Sequence, residues 1–231
     1  MVAWALVAVI VLLAVVVGLL VTSGSLFSNE PTSDLERDYL LLLEGLKANP
    51  ENSSVLMSLA EVEYDLGKKR DAMEHAEKAV EVDPDNAAIQ LRYAQLLVRE
   101  DELETAREVL EAVIANESTK PSAGPYFILA QIEREAENYD TAIEHMERAV
   151  ELEPVNGDMR VVYGGILEKA GKTDEAIVQY EEALRYLPNN EEAMAGLRRL
   201  GVEVEETTTS VMPGGVPTDE VEELPFETET E

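Results

Sequence analysis

The two histidines of the chain, His75 and His145, each stand nine residues before a proline, Pro84 and Pro154. An imidazole can act as a general base or a metal ligand, and either use needs a second group converging on it. These two occupy equivalent places of a repeating chain, too far apart to share a metal, and each reads as a helix-surface side chain. The 48 Asp and Glu residues could supply acid–base pairs. Beside Lys and Arg at i,i+4 they read more simply as solvated faces and salt pairs. The absence of cysteine removes thiol catalysis, thiolate metal sites and disulfides. Gly164-Gly165 lacks the following Lys and Ser or Thr of a phosphate loop. Asn52-Ser53-Ser54 and Asn116-Glu117-Ser118 match the glycan acceptor pattern, which chance supplies often. No enzyme, cofactor or metal is expected.

What positions these residues is a period. Pro50 and Pro84 lie 34 apart, as do Pro154 and Pro188, and Pro84 and Pro154 lie 70 apart, two such periods plus two residues. A period near 34 predicts stacked helix pairs. Counting back from Pro84, Ser118, Pro154 and Pro188, small residues recur at Ala60, Ala94, Ala130 and Gly164, and again at Ala72, Ala106, Ala142 and Ala176. A third set is Ala79, Val113, Ala149 and Ala183. Small side chains at those points let two helices approach closely, and the large Leu59, Tyr93, Leu129 and Tyr163 fill the space beside them. Solenoids need capped ends. Ser33-Asp34-Leu35-Glu36 is a capping box opening a leading helix, with Leu35, Tyr39, Leu42, Leu43 and Leu46 on one face. Asn189-Asn190 cap a last helix carrying Met194, Leu197 and Leu200, with Arg198 and Arg199 near its end.

Over about residues 53–188 this pattern resembles the tetratricopeptide repeat, in four copies. The resemblance implies an all-α, right-handed superhelical solenoid of antiparallel helix pairs over 33–200, with leading and trailing capping helices. Gly67 and Gly171 fall in the turn between helices where the family often has glycine, while Asp101 and Glu137 depart from it. In the family the first helices of successive repeats line a concave groove. The matching positions here are Met57, Leu91, Phe127 and Val161, then Glu61, Gln95, Gln131 and Gly165, then Tyr64, Val98, Arg134 and Glu168. The expected protein-binding groove is Met57, Tyr64, Leu91, Val98, Phe127, Gln131, Arg134 and Val161, with Phe127 as anchor. Lys and Asn, which relatives use to clamp a C-terminal carboxylate, are absent from these places. An apolar stripe with a polar border suits a peptide or an amphipathic helix. The layout is also similar to repeat subunits of bacterial cytochrome c maturation, although no haem ligation motif is present.

Residues 2–22 carry no charge and, at about 1.5 Å per residue, span roughly 30 Å, so 1–24 is expected to be a transmembrane signal anchor. Its apolar run exceeds that of a cleaved signal peptide, and no Lys or Arg precedes it. Residues 25–32, broken by Pro31, read as a linker. Scarce positive charge on the flanks leaves the repeats expected outside the cytoplasm, on a single-pass membrane protein. Residues 201–231 form an acidic tail, expected to be disordered, in which Val221, Leu224 and Phe226 make a candidate docking motif. The net charge of −30 disfavours nucleic acid and anionic lipid, and would steer a basic partner towards the chain. The function expected is an anchored scaffold for assembly of an envelope or membrane protein complex. The alternatives are a self-associating membrane spacer, hence a homo-oligomer, and a cytoplasm-facing client receptor.

Overall fold

The structure, a computed structural model, describes residues 33–116 and 120–204. The expected anchor, linker, Ser118 and the tail beyond Val204 lie outside the described residues. Among those described there are ten α-helices and no strand, and none of the helices is long and apolar enough to cross a membrane.

The chain divides into two units at Glu100. The first holds α1 (Asp34–Ala48), α2 (Ser53–Asp65), α3 (Lys69–Val82) and α4 (Ala87–Arg99). The second holds α5 (Leu103–Ala115), α6 (Ala123–Glu135), α7 (Tyr139–Leu152), α8 (Gly157–Lys169), α9 (Thr173–Tyr186) and α10 (Glu191–Arg199). The helices of the second repeat, α4 and α5, fall one in each unit.

The starts of the helices follow from local chemistry. Asn52, Asn86, Asn156 and Asn190 each stand two residues after a period-marking proline, and each side chain accepts a backbone N–H of the first turn of α2, α4, α8 or α10. Proline ends the preceding helix and asparagine opens the next. Ser33 does the same for α1, its Oγ accepting Glu36 N–H at 3.1 Å. The second helices α3, α5, α7 and α9 have no such side-chain cap. Each of them instead follows a left-handed residue: Gly67 at φ 77°, Asp101 at 64°, Glu137 at 59° and Gly171 at 76°. Asp101 and Glu137 depart from glycine in sequence and keep its conformation. A side chain at positive φ costs of order 1 kcal/mol or more. Glu137→Gly is therefore expected to stabilise the second unit by about 0.5–1 kcal/mol after glycine's own entropy cost, read as a midpoint shift in urea.

The small residues of the period lie inside both units. Ala60, Ala72, Ala79 and Ala94 in the first unit are completely buried, as are Ala106, Ala130, Ala142, Ala149, Ala176 and Ala183 in the second. In the first unit Leu56, Met57, Ala60, Ala76, Ala79, Ile89 and Leu96 form one core, with Leu46 of α1 laid against it. The expected inner face of α1 is half-buried, while Leu40 and Leu41 are 48% and 60% exposed. In the second unit the core runs on past α10, because Val202 and Val204 pack against it.

Candidate functional site

The face expected to bind a partner divides between the two units, and its residues meet different fates in each. Met57 has no exposed surface and Val161 only 3%. The expectation that these two face a ligand is corrected: both belong to the cores, Met57 in the cluster against which Leu46 packs. Neighbouring helices close over them, and they offer packing only.

In the first unit the polar border is consumed internally. Arg92 of α4 donates to both carboxylate oxygens of Glu61 on α2, at 2.6 and 2.5 Å, and to Ser58 Oγ at 3.1 Å. Tyr64 donates its hydroxyl to Glu100 Oε1 at 2.6 Å and lies 2.9 Å from Arg99 O, while the Arg99 guanidinium covers its ring at 3.9 Å and pairs with Asp65 at 2.6 Å. Lys69 bonds to Glu100 at 2.5 Å, which raises the Lys69 pKa and lowers that of Glu100. Tyr64 is thus the centre of a clamp between the ends of α2 and α4. What this unit still presents is Leu91, Gln95 and Val98.

In the second unit Phe127, Gln131 and Arg134 stand at i, i+4 and i+7 on α6, all partly exposed. Phe127 rests one side on the core. Among the described residues the Gln131 side chain makes no hydrogen bond, and the nearest carboxylate to Arg134 is that of its neighbour Glu135, at 3.9 Å. Glu168 on α8 is spoken for: Arg199 donates to it twice, at 2.9 and 2.8 Å, and Tyr180 Oη at 2.9 Å. The Arg199 bonds, then that of Tyr180, hold the Glu168 carboxyl below the usual carboxylate range against the opposing effect of burial. The sign follows: a carboxyl depressed in the fold contributes stability at neutral pH, and loses it as pH falls through the folded value. Unfolding of the second unit between about pH 5 and pH 3 is expected to be less steep in pH for Arg199→Ala than for the unsubstituted chain.

The two histidines meet different partners. His75 Nδ1 lies 2.7 Å from Glu63 Oε2, a carboxylate only 2% exposed. His145 is tilted against the Tyr126 ring at 6.3 Å. No cluster of three or more metal-ligating residues occurs among the described residues. The His75–Glu63 contact has the form of an oriented base, and it also satisfies a carboxylate buried between α2 and α3. Glu63 and its counterpart Glu133 escaped the reading of the sequence. Glu133 takes Arg107 at 2.7 Å and Asn138 Nδ2 at 2.8 Å. A signal was available, since the position twenty-one before each closing point reads Glu63, Leu97, Glu133, Leu167, and both leucines are fully buried. Glutamate at an apolar place of a repeat points to a buried partner.

Comparison with known proteins agrees with this architecture. Residues 47–200 match the tetratricopeptide repeat-like domain family. A TPR repeat-containing protein of Dictyostelium discoideum is 26% identical over 192 residues, 81% of this chain and 61% of that protein. The chain therefore spans about three fifths of that relative's length. PilW, a widely conserved type IV pilus biogenesis factor, is similar in structure with a TM-score of 0.66 at 16% identity, covering 73% of this chain and 79% of PilW. YrrB, a TPR protein with an unusual peptide-binding site, has a TM-score of 0.53 at 19% identity, covering 69% of this chain and 90% of YrrB.

Proposed function

As the chain belongs to the tetratricopeptide repeat-like domain family, we propose that it is a membrane-anchored scaffold holding a segment of a partner protein on the exposed face of its first helices, foremost α6. The observation that carries this is the contrast among the residues of that face. Phe127, Gln131 and Arg134 keep free surface and free hydrogen-bonding capacity, while Glu61 and Tyr64 are locked into internal bonds. An aromatic ring half-seated on a core supplies apolar area without first being ordered, a low entropic cost for binding. The peptide-binding site of YrrB and the assembly role of PilW support the same kind of work here, the building of an envelope or membrane protein complex. The uncharged run 2–22 is the anchor in this reading, with the repeats outside the cytoplasm.

A photo-crosslinking residue at Phe127 in native membranes, with a control on exposed Val178 of α9, tests it. A discrete protein captured from Phe127 alone is expected, and Phe127→Ala should weaken its binding about tenfold or more, as removal of a central aromatic anchor does. Equal capture at both positions would reject the reading. A second reading, self-association, is favoured by the exposure of Leu40 and Leu41 on α1. It predicts a mass for the full chain in detergent that rises with concentration and falls to the monomer in Leu40→Glu/Leu41→Glu.

A further inference from the structure

Arg134 is an anomaly of charge pairing. In the second unit Arg107, Arg148, Arg185 and Arg199 each meet a carboxylate within 2.7 to 2.8 Å, and Arg160 spends its donors on Pro154 O and Gln179 Oε1. The Arg134 side chain makes no hydrogen bond among the described residues, and its nearest carboxylate, at 3.9 Å, is on the adjacent residue. In a chain with 48 acidic against 18 basic residues, a guanidinium left with its fork open is available for a carboxylate that the described residues do not supply. Beside it on the same face stand an unbonded amide, Gln131, and a half-seated ring, Phe127.

We infer that this face is occupied, in the absence of a client, by the chain's own segment 221–227, Val-Glu-Glu-Leu-Pro-Phe-Glu. The inference rests on the reading of α6 as the binding face. Residues 205–231 hold nine carboxylates and neither Lys nor Arg, so their charge is complementary to an open guanidinium such as that of Arg134. The spacing matches as well. Phe127 and Arg134 are seven helical residues apart, about 10.5 Å; Phe226 and Glu223 are three residues apart, about 10 Å in an extended chain. Phe226 on Phe127 therefore sets the Glu223 carboxylate at the Arg134 fork, with the Gln131 amide facing the backbone between. Pro225 favours the extended form and lowers the ordering cost. Reach is ample. Val202 and Val204 already lie on the core of this unit, and the 20 residues from Val204 to Leu224 can span about 66 Å, against about 20 Å for the length of α6. Tethering gives the segment an effective concentration near millimolar, so a weak contact suffices to fill the face. The consequence is competition: a client binds by displacing the tail.

The test uses the full chain in detergent with Gln131→p-benzoylphenylalanine, irradiated and mapped by peptide mass. The principal crosslink is expected to fall within residues 219–231 of the same molecule. Arg134→Glu should lower its yield at least about fivefold, and Glu223→Arg added to Arg134→Glu should restore most of it, a swap that a merely structural role for Arg134 does not predict. Circular dichroism on each variant separates misfolding from lost contact. A crosslink elsewhere, or one to the tail that ignores both charge changes, would overturn the inference. So would crosslinks that mix isotopes when labelled and unlabelled chains are combined, since these assign the face to a second copy. The scaffold reading fails separately, by equal client capture at Phe127 and Val178 in membranes.

Discussion

Gly196→Ala is expected to destabilise the second unit by about 1–3 kcal/mol, a cost usual for overpacking a full core. A Cβ at Gly196 would stand 2.5 Å from Cε2 and Cζ of Tyr180, and one at Gly164 would stand 2.7 Å from Cε1 on the other side of the ring. The ring is 1% exposed and its hydroxyl is bound by Glu168, so it can neither tilt away nor swing out. Removing the ring instead, in Tyr180→Ala, should cost about 3–5 kcal/mol as a large cavity. Urea unfolding measures both, and hydrogen exchange should show the loss first in α10. Because the clash is with one ring, Gly196→Ala should be much less harmful when combined with Tyr180→Leu. Equal costs in both backgrounds would show that the glycine answers to something else.

His75→Ala should cost the first unit about 2–4 kcal/mol, somewhat under the full price of breaking a buried pair because the imidazole is partly solvated. The carboxylate of Glu63, 2% exposed, would be left without its 2.7 Å partner. The informative variant is the second one. Leu97 and Leu167 fill the same repeat position and are fully buried, so Glu63→Leu added to His75→Ala should recover most of the loss, the charge having been removed along with its partner. Thermal unfolding followed by circular dichroism decides it. Failure of leucine to rescue would mean that the carboxylate has work beyond satisfying its neighbour. The pair in this form keeps α2 and α3 in one register by a hydrogen bond, where a leucine would only fill volume.

The period of the chain was legible because it reflects short-range geometry. A first helix, a three-residue turn and a second helix repeat the same backbone path, and the alanines of the period, from Ala60 to Ala183, are completely buried. The turn residues were half legible. Asp101 and Glu137 break the glycine pattern, yet the path of the chain forces them to φ 64° and 59°. The binding face was legible as a set of positions and not as a set of surfaces. Met57 and Val161 match Phe127 in the repeat, and both are buried where Phe127 is not.

By itself, then, the order of residues determined what depends on neighbours along the chain: helix pairs, their asparagine starts, their small contact points and the membership of a repeat family. Only the tertiary structure decided which polar groups are spent and which are free. Arg92 and Arg134 look alike as helix-surface arginines, but one is locked to Glu61 across α2 and α4 while the other meets nothing closer than its neighbour. The same holds for the fitting of Tyr180 between two glycines 32 residues apart. Burial and pairing are properties of side chains brought together from separate helices, and no spacing within a single helix encodes them.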